Sequence, residues 1–118
     1  MVVFTSMEIK HHDAAADKVV ITVAGEVRMG PESEQITTLV SDLLRRAKRV
    51  IIFNVADVTK IDSTGIGRFI SSYNQVAAAG GEIRMAGADG IVFKAFRACR
   101  LDTVFRFYST VDEACNAV

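Results

Sequence analysis

The side chains best suited to chemistry stand together at Asp62-Ser63-Thr64-Gly65, followed by Ile66 and Gly67. The apolar spacing from Ile66 onward predicts a helix, so the polar residues lie at its N-terminus. A hydroxyl group there lies among free backbone N–H groups and at the positive end of the helix dipole. Both would stabilise a phosphoryl group attached to it. The segment therefore predicts a phosphorylation switch at Ser63 and not a catalytic centre.

A purely structural role also explains these residues. Asp, Ser and Thr are preferred N-cap residues, and one of them is enough to satisfy the free N–H groups of a helix. Here three stand in a row, and Gly65 and Gly67 bracket Ile66, where each glycine costs about 0.5–1 kcal/mol relative to alanine. Glycine leaves bare backbone that another molecule can approach closely, which favours a binding role beside capping.

Composition limits the classes of function. The 118 residues predict one domain spanning residues 1–118, and 14 basic and 14 acidic residues give a formal net charge of zero. This balance gives no electrostatic case for binding nucleic acid or an anionic membrane. The apolar runs are too short for a membrane span, and residues 1–6 lack the features of a secretory signal. Cys99 and Cys115 lack CxxC spacing, which predicts reduced thiols and a cytoplasmic protein.

Hydrophobic periodicity predicts the order ββαβαβαβα. Strands at Met7–Lys10 and Lys18–Val23 flank a polar turn and form an antiparallel pair, and Gly30-Pro31 opens the first helix. The apolar run Val50–Phe53 predicts a strand buried on both faces, joined by a short loop to Asp62. The predicted core face of the second helix comprises Ile66, Phe69, Ile70, Tyr73 and Ala77.

The second half of the chain continues the alternation. Gly80-Gly81 ends the second helix, Glu82–Ala86 forms a strand, and Asp89 caps a third helix. The core-facing residues of that helix are expected to be Val92, Ala95, Phe96 and Cys99. A last strand at Val104–Tyr108 precedes a terminal helix whose capping box is Thr110-Val111-Asp112-Glu113. The fold is therefore α/β, with a mixed, mostly parallel sheet of about five short strands and about four helices.

The sequence gives only weak indications of a metal site, a nucleotide site or a catalytic site. Adjacent His11 and His12 point to opposite faces of a strand, and no cysteine or carboxylate cluster joins them. Asp57, Asp62 and Asp89 could meet near the sheet end, but nothing in their spacing requires a cation. Gly87-Ala88-Asp89-Gly90 lacks the Lys and Ser/Thr of a P-loop, and Ser63 lacks a nearby general base. We therefore predict no enzyme activity, no metal and no cofactor.

The chain resembles a STAS domain of the anti-sigma factor antagonist type. The segments that carry this resemblance are Gly25-Glu26-Val27, Val50–Val58, Asp62-Ser63-Thr64-Gly65-Ile66-Gly67, Ala79-Gly80-Gly81 and Leu101-Asp102-Thr103-Val104-Phe105. The segment D-S-T-G-I-G between a strand and a helix is quite specific, whereas the last two segments alone are weak.

The resemblance implies partner switching. In this family an anti-sigma factor that is also a serine kinase phosphorylates the hydroxyl after the Asp, which corresponds to Ser63. The unphosphorylated antagonist binds the anti-sigma factor and frees sigma, the phosphorylated form does not bind, and a phosphatase resets it. Some relatives are instead scaffold or sensor subunits of stress-signalling complexes. The sigma factor, the kinase, the phosphatase, the input signal and a weak homodimer are left open.

The residues expected to contact a partner are Asp62, Ser63, Thr64, Gly65, Ile66, Gly67, Arg68 and Phe93, with Phe69 or Ser72 beside them. Phe93 lies about 100° from Val92 on its helix and has cations close by, so it either contacts a partner or is buried by a slightly rotated helix. Two positions depart from the family pattern. Arg28 and Asn54 stand where relatives often carry Asp, and Arg28 bears on which kinase is recognised.

Overall fold

The computed structural model describes residues 7–117, in which five strands and four helices follow the predicted order. The strands are β1 (Met7–Asp13), β2 (Lys18–Val27), β3 (Val50–Ile61), β4 (Glu82–Ala86) and β5 (Arg106–Tyr108). The helices are α1 (Pro31–Arg45), α2 (Ser63–Ala78), α3 (Gly90–Ala98) and α4 (Val111–Asn116). The predicted fold class is confirmed. The N-terminal residues 1–6 lie outside the described part.

The strands form one sheet in the order β1-β2-β3-β4-β5. Strand β1 pairs with β2 antiparallel, and every other pair is parallel. This confirms the predicted antiparallel edge followed by a parallel run. Since β3 is the middle strand, its carboxyl end lies at the centre of one sheet edge, and this end leads directly into α2.

Alternate side chains of the sheet enter two cores. Ile51 and Phe53 pack with α1, α2 and α3 in the larger core, where the Phe53 and Phe69 rings meet edge to face at 5.0 Å. Ile52 points to the other face and packs with Ala114 of α4. Three helices therefore cover one face of the sheet and one short helix covers part of the other.

The observed strand boundaries differ most from the predicted ones at β3. No loop separates the strand from Asp62: β3 continues to Ile61, and its second half pairs with the extended end of β2 across two register shifts. Because β4 pairs only with residues 50–54, this half has one neighbouring strand and exposes polar side chains such as Thr59 and Lys60. Its polar composition is therefore that of an exposed strand.

Other expectations were wrong in detail. Strand β5 is limited to three residues, because Val104 and Phe105 lie in a turn from which Phe105 enters the core. On α2, Ile70 and Ala77 are exposed, whereas Val76 is buried. The buried face of α2 is therefore rotated about the helix axis relative to the predicted core face. Cys99, expected to face the core, is instead exposed as the C-cap of α3, and no disulfide joins it to Cys115 within residues 7–117.

Two basic side chains hold the end of α4. Arg84, 3 % exposed, donates to the Ala114 carbonyl at 2.7 Å and forms an ion pair with Glu82 at 2.8 Å. Lys18 donates to the Cys115 carbonyl at 3.0 Å. Cations at these last carbonyls complement the helix dipole.

The capping box of α4 is half formed. The Thr110 hydroxyl accepts from the Glu113 N–H at 3.1 Å, as predicted. The Glu113 carboxylate accepts from the Ser109 N–H instead of the Thr110 N–H. Asp89 occupies the N-cap position of α3, but its side chain makes no capping hydrogen bond.

Candidate functional site

Asp62 is the N-cap of α2 and joins two segments. Its Oδ1 accepts from the Gly65 N–H at 2.7 Å, while its Oδ2 accepts from the Met29 N–H at 2.9 Å. Met29 lies in the connection between β2 and α1. One carboxylate therefore closes the first turn of α2 and also holds the neighbouring loop.

These hydrogen bonds also set the charge state of the carboxylate. The N–H groups of Gly65 and Met29, in that order, lower the pKa of Asp62 below its usual value, and desolvation opposes them. A low pKa keeps Asp62 negatively charged at neutral pH, next to Ser63.

Ser63 is the first residue of α2, and the cap does not use its hydroxyl. The residue is exposed, and its hydroxyl makes no hydrogen bond within residues 7–117. Thr64 is half-buried. Since Asp62 alone caps the helix, a capping role does not account for the Ser63 side chain.

The two glycines of the segment have different surroundings. A Cβ atom on Gly65 would lie 2.2 Å from the backbone oxygen of Val27, so only glycine lets α2 approach β2 this closely. A Cβ atom on Gly67 would meet no atom within 4 Å. Packing therefore explains Gly65 but not Gly67, which leaves bare helical backbone open on the surface.

The exposed face of α2 carries Ser63, Gly67 and Ile70 along one stripe. These residues are spaced four and three apart, which places them on the same side of a helix. Ile70 is 37 % exposed. A large apolar residue thus lies on the same face as the free hydroxyl.

Two more exposed apolar residues lie beside Asp62. Met29 is 75 % exposed and is bonded to Asp62 through its N–H, and Ile91 is 54 % exposed. Ile91 lines a groove of about 340 Å³ together with Asp62, Arg28 and Lys60. We refer to Met29, Ser63, Gly67, Ile70 and Ile91 as the Ser63 patch. It holds three of the four exposed large hydrophobic residues described, the fourth being Val104.

Sequence reasoning missed Met29 and Ile91. Each lies within a turn or at a helix start, where periodicity does not assign a face. An available signal was that both adjoin residues with special backbone roles, since Met29 precedes Gly30-Pro31 and Ile91 follows the Asp89-Gly90 cap.

Several expected contact residues are instead internal. Gly65, Ile66, Phe69 and Ser72 are all buried, so none of the four forms an exposed contact surface as expected. Arg68, also expected to contact a partner, is partly buried, with 25 % of its side chain accessible. Its Nε donates to the buried Ser33 hydroxyl at 3.1 Å and its guanidinium lies 3.7 Å from the Glu34 carboxylate. Arg68 therefore joins α2 to the start of α1.

Phe93 is half-buried, so it is neither fully exposed for a partner nor fully enclosed in the core. Its ring packs edge to face on Phe107 at 5.3 Å, which leaves part of the side chain accessible. The helix face next to the Ser63 segment is marked by Ile91, two residues earlier.

The two departures from the family pattern have local partners. Arg28 forms an ion pair with Glu26 at 3.2 Å, and it is about half exposed. Asn54 accepts from the Ala56 N–H at 3.3 Å through its side-chain oxygen.

Within residues 7–117, no group of three His, Cys, Asp or Glu side chains is placed to hold a metal ion. His11 and His12 are both exposed on the edge strand. No helix in this part of the chain is long and apolar enough to cross a membrane.

Solved structures share this architecture. The anti-sigma factor antagonist SpoIIAA in its unphosphorylated form matches with a TM-score of 0.79 and 24 % identity over 91 % of this chain and 92 % of that one. The Bacillus cell fate determinant SpoIIAA in its phosphorylated form matches with a TM-score of 0.73 and 23 % identity over 91 % of this chain and 96 % of that one. An anti-sigma factor antagonist from Mycobacterium paratuberculosis matches with a TM-score of 0.80 and 18 % identity over 96 % and 94 %.

Identities this low establish the shared fold alone. The family assignment rests on a sequence model, that of the STAS domain, which matches residues 6–114. This range contains all five strands, the first three helices and the first half of α4. It also includes the whole Ser63 patch. The chain therefore belongs to the STAS domain family and has the fold of the anti-sigma factor antagonists.

Proposed function

We propose that this chain is an anti-sigma factor antagonist controlled by phosphorylation of Ser63. Its unphosphorylated form binds an anti-sigma factor that is a serine kinase and thereby releases the sigma factor. Phosphorylation ends this binding, and a phosphatase restores it. The chain itself catalyses no reaction, and it acts in the bacterial cytoplasm, where its proposed partner controls transcription.

The observation that carries the proposal is the exposed hydroxyl of Ser63, which makes no hydrogen bond within residues 7–117 and follows a residue that exposed apolar side chains adjoin. Its neighbour Asp62 already caps α2, and the patch around it combines Met29 and Ile91 with the open backbone at Gly67. Apolar side chains around a reactive group suit a protein partner better than a small-molecule substrate.

The phosphate would act mainly by its charge. It brings roughly −1.5 to −2 charges to a surface that a partner must contact closely. The partner must then remove water from a dianion or meet it with its own groups, and a penalty of about 3 kcal/mol weakens binding about a hundredfold. The start of α2 favours an anion, so the fold should remain.

The alternative is that the chain is a STAS scaffold or sensor subunit of a stress-signalling complex, held together without phosphate. Both functions use an exposed apolar patch. They differ in whether modification of Ser63 changes the affinity, which makes phosphorylation the deciding measurement.

The test uses the purified chain and each anti-sigma-type kinase encoded in the source genome. Intact mass after incubation with ATP should show one added phosphoryl group on the wild type and none on Ser63→Ala. Thr64→Val is the matched control and should still be phosphorylated. The chain with ATP alone should gain no phosphate.

Binding measured by calorimetry gives the second half of the test. Ser63→Ala should bind one of these kinases as the wild type does, and Ser63→Asp should bind poorly with an unchanged circular dichroism spectrum. If Ser63→Ala still gains a phosphoryl group, Ser63 is not the acceptor. Binding without any phosphorylation would favour the scaffold function.

A further inference from the structure

The loop that carries Met29 is short and is held at its middle by a single side chain. It runs from Arg28 to Gly30, between the end of β2 and the start of α1. The Met29 N–H donates to Asp62 Oδ2 at 2.9 Å, and this is its one hydrogen bond among the described residues. Met29 itself points outward, 75 % exposed.

The two ends of the loop are held by other contacts. Gly30 accepts from the Ser33 hydroxyl at 3.2 Å through its carbonyl, and Arg28 forms its ion pair with Glu26. Just before the loop, the Val27 carbonyl accepts from the backbone N–H of Asp62 at 3.2 Å, a bond that does not use the Asp62 side chain. None of these contacts involves Met29. The Asp62 carboxylate, 33 residues away in sequence, is therefore the side chain that holds Met29 itself.

A charge on Ser63 would act directly on this carboxylate. Ser63 follows Asp62 in the chain, so an anion there repels the negatively charged Asp62 side chain at short range. The oxygens of a phosphate would also compete with Asp62 for the N–H groups of the first turn of α2. Both effects disturb a carboxylate that holds two segments at once.

We propose that Asp62 is a positioning residue that places Met29 on the Ser63 patch, and that a negative charge at Ser63 releases Met29 by weakening this hydrogen bond. Phosphorylation then removes an apolar contact from the patch as well as adding charge to it. The consequence for partner binding rests on the proposed function, whereas the release of Met29 is a property of the chain alone.

A pair of variants separates the two tasks of Asp62. In Asp62→Asn the amide oxygen still accepts from the Gly65 N–H, since Asn caps helices as well as Asp. The amide NH2 cannot accept from the Met29 N–H. Asp62→Asn therefore loses the Met29 contact alone, and Asp62→Ala loses both.

The first measurement needs no partner. Hydrogen exchange of the Met29 amide, followed by NMR at neutral pH, should speed up about fivefold in Asp62→Asn, the scale of one lost hydrogen bond. It should speed up in Ser63→Asp as well. The Phe53 amide in the core of β3 is the reference and should keep its rate. An unchanged Met29 rate in both variants overturns the proposal, whatever any kinase does.

The second measurement is a double-mutant cycle on the affinity for the kinase that phosphorylates the wild type. Asp62→Asn should weaken binding about fivefold, and it should add nothing once Met29→Ala is present. Additive losses would show that Asp62 acts without Met29 and would overturn its positioning role. If no kinase binds the wild type, the proposed function fails, and the exchange rates still decide whether Asp62 holds Met29.

Discussion

Asp62 and Arg84 perform the same task in different surroundings. Each is a charged side chain that joins segments about thirty residues apart, Asp62 holding the Met29 loop and Arg84 holding α4. Each centre also includes a polar group that has no partner among the described residues. At Arg84 this group is its own buried Nε, whereas at Asp62 it is the exposed hydroxyl of Ser63.

The difference between these centres concerns accessibility. An enclosed N–H with no acceptor only reduces stability, because no molecule can reach it. An exposed hydroxyl loses nothing while it is bonded to water, and it stays available to a partner or to a kinase. We therefore expect substitutions at the Arg84 centre to change folding and those around Ser63 to change binding.

The largest effect should come from Arg84→Ala. Removing a buried cation leaves the Ala114 carbonyl unpaired and Glu82 without its closest partner, and loss of one member of such a pair costs about 3 kcal/mol. Urea denaturation should show this loss in the free energy of unfolding. Kinase affinity measured well below the unfolding transition should stay within about twofold. A variant that folds normally and binds weakly would break the comparison.

The two glycines of the D-S-T-G-I-G segment form a matched pair. Gly65→Ala places a Cβ atom against the Val27 backbone and should reduce the free energy of unfolding by about 2 kcal/mol. Gly67→Ala places it in open space and should raise that energy by about 0.5 kcal/mol, because alanine favours a helix.

Kinase binding should follow the opposite order in these variants. Gly67→Ala fills the bare backbone of the patch and should weaken the affinity in spite of the more stable fold. If Gly67→Ala raises both the free energy of unfolding and the affinity for the kinase, this face of α2 does not contact the partner.

A smaller effect is expected at the exposed apolar residues. Ile91→Ala should weaken kinase binding by about 1 kcal/mol, since Ile91 lies in the groove beside Asp62. Val104→Ala is the control, because Val104 is similarly exposed but lies outside the patch. Calorimetry should show a loss of kinase affinity in Ile91→Ala and none in Val104→Ala. Equal losses of affinity would show that the position of the residue within the patch does not matter.

The smallest effect concerns pH. The folded-state pKa of Asp62 is depressed, so its contribution to stability is present above the unfolded pKa and is lost as pH falls through the folded value. The free energies of unfolding of wild type and Asp62→Ala should therefore differ at pH 6, and the difference should begin to shrink only once the pH falls below about 3.8. Parallel urea titrations at several pH values measure this. If the difference in free energy of unfolding persists in acid, the stability that Asp62 contributes does not come from its carboxylate charge.

Periodicity predicted the order of elements, because apolar side chains must face a core whatever the tertiary details. Boundaries failed where tertiary pairing decides the conformation. The polar second half of β3 is a strand because the end of β2 lies beside it, and nothing local in Asp57–Ile61 indicates that neighbour. Likewise, Val104 and Phe105 are good strand formers that the chain places in a turn.

The geometry at the centre of the candidate site was predictable from the sequence, and the set of exposed residues around it was not. Helix capping chemistry located Asp62 and Ser63, since it depends on residues adjacent in sequence. The role of Arg68 depends on Ser33, and the exposure of Met29 depends on a bond to Asp62, so both require the tertiary structure. Sequence likewise could not distinguish Gly65 from Gly67, because the difference lies in the position of Val27.

The direct passage from β3 into α2 has a consequence for how an enzyme could recognise Ser63. The proposed acceptor, Ser63, is the first residue of a helix anchored by a twelve-residue strand, with no intervening loop that could adopt an extended shape. A kinase that modifies it must bind the native surface and not a linear peptide. A newly made or unfolded chain would then escape phosphorylation, and a synthetic peptide of residues 57–70 should be a poor substrate. The proposed switch would in this way act only on molecules that have already folded.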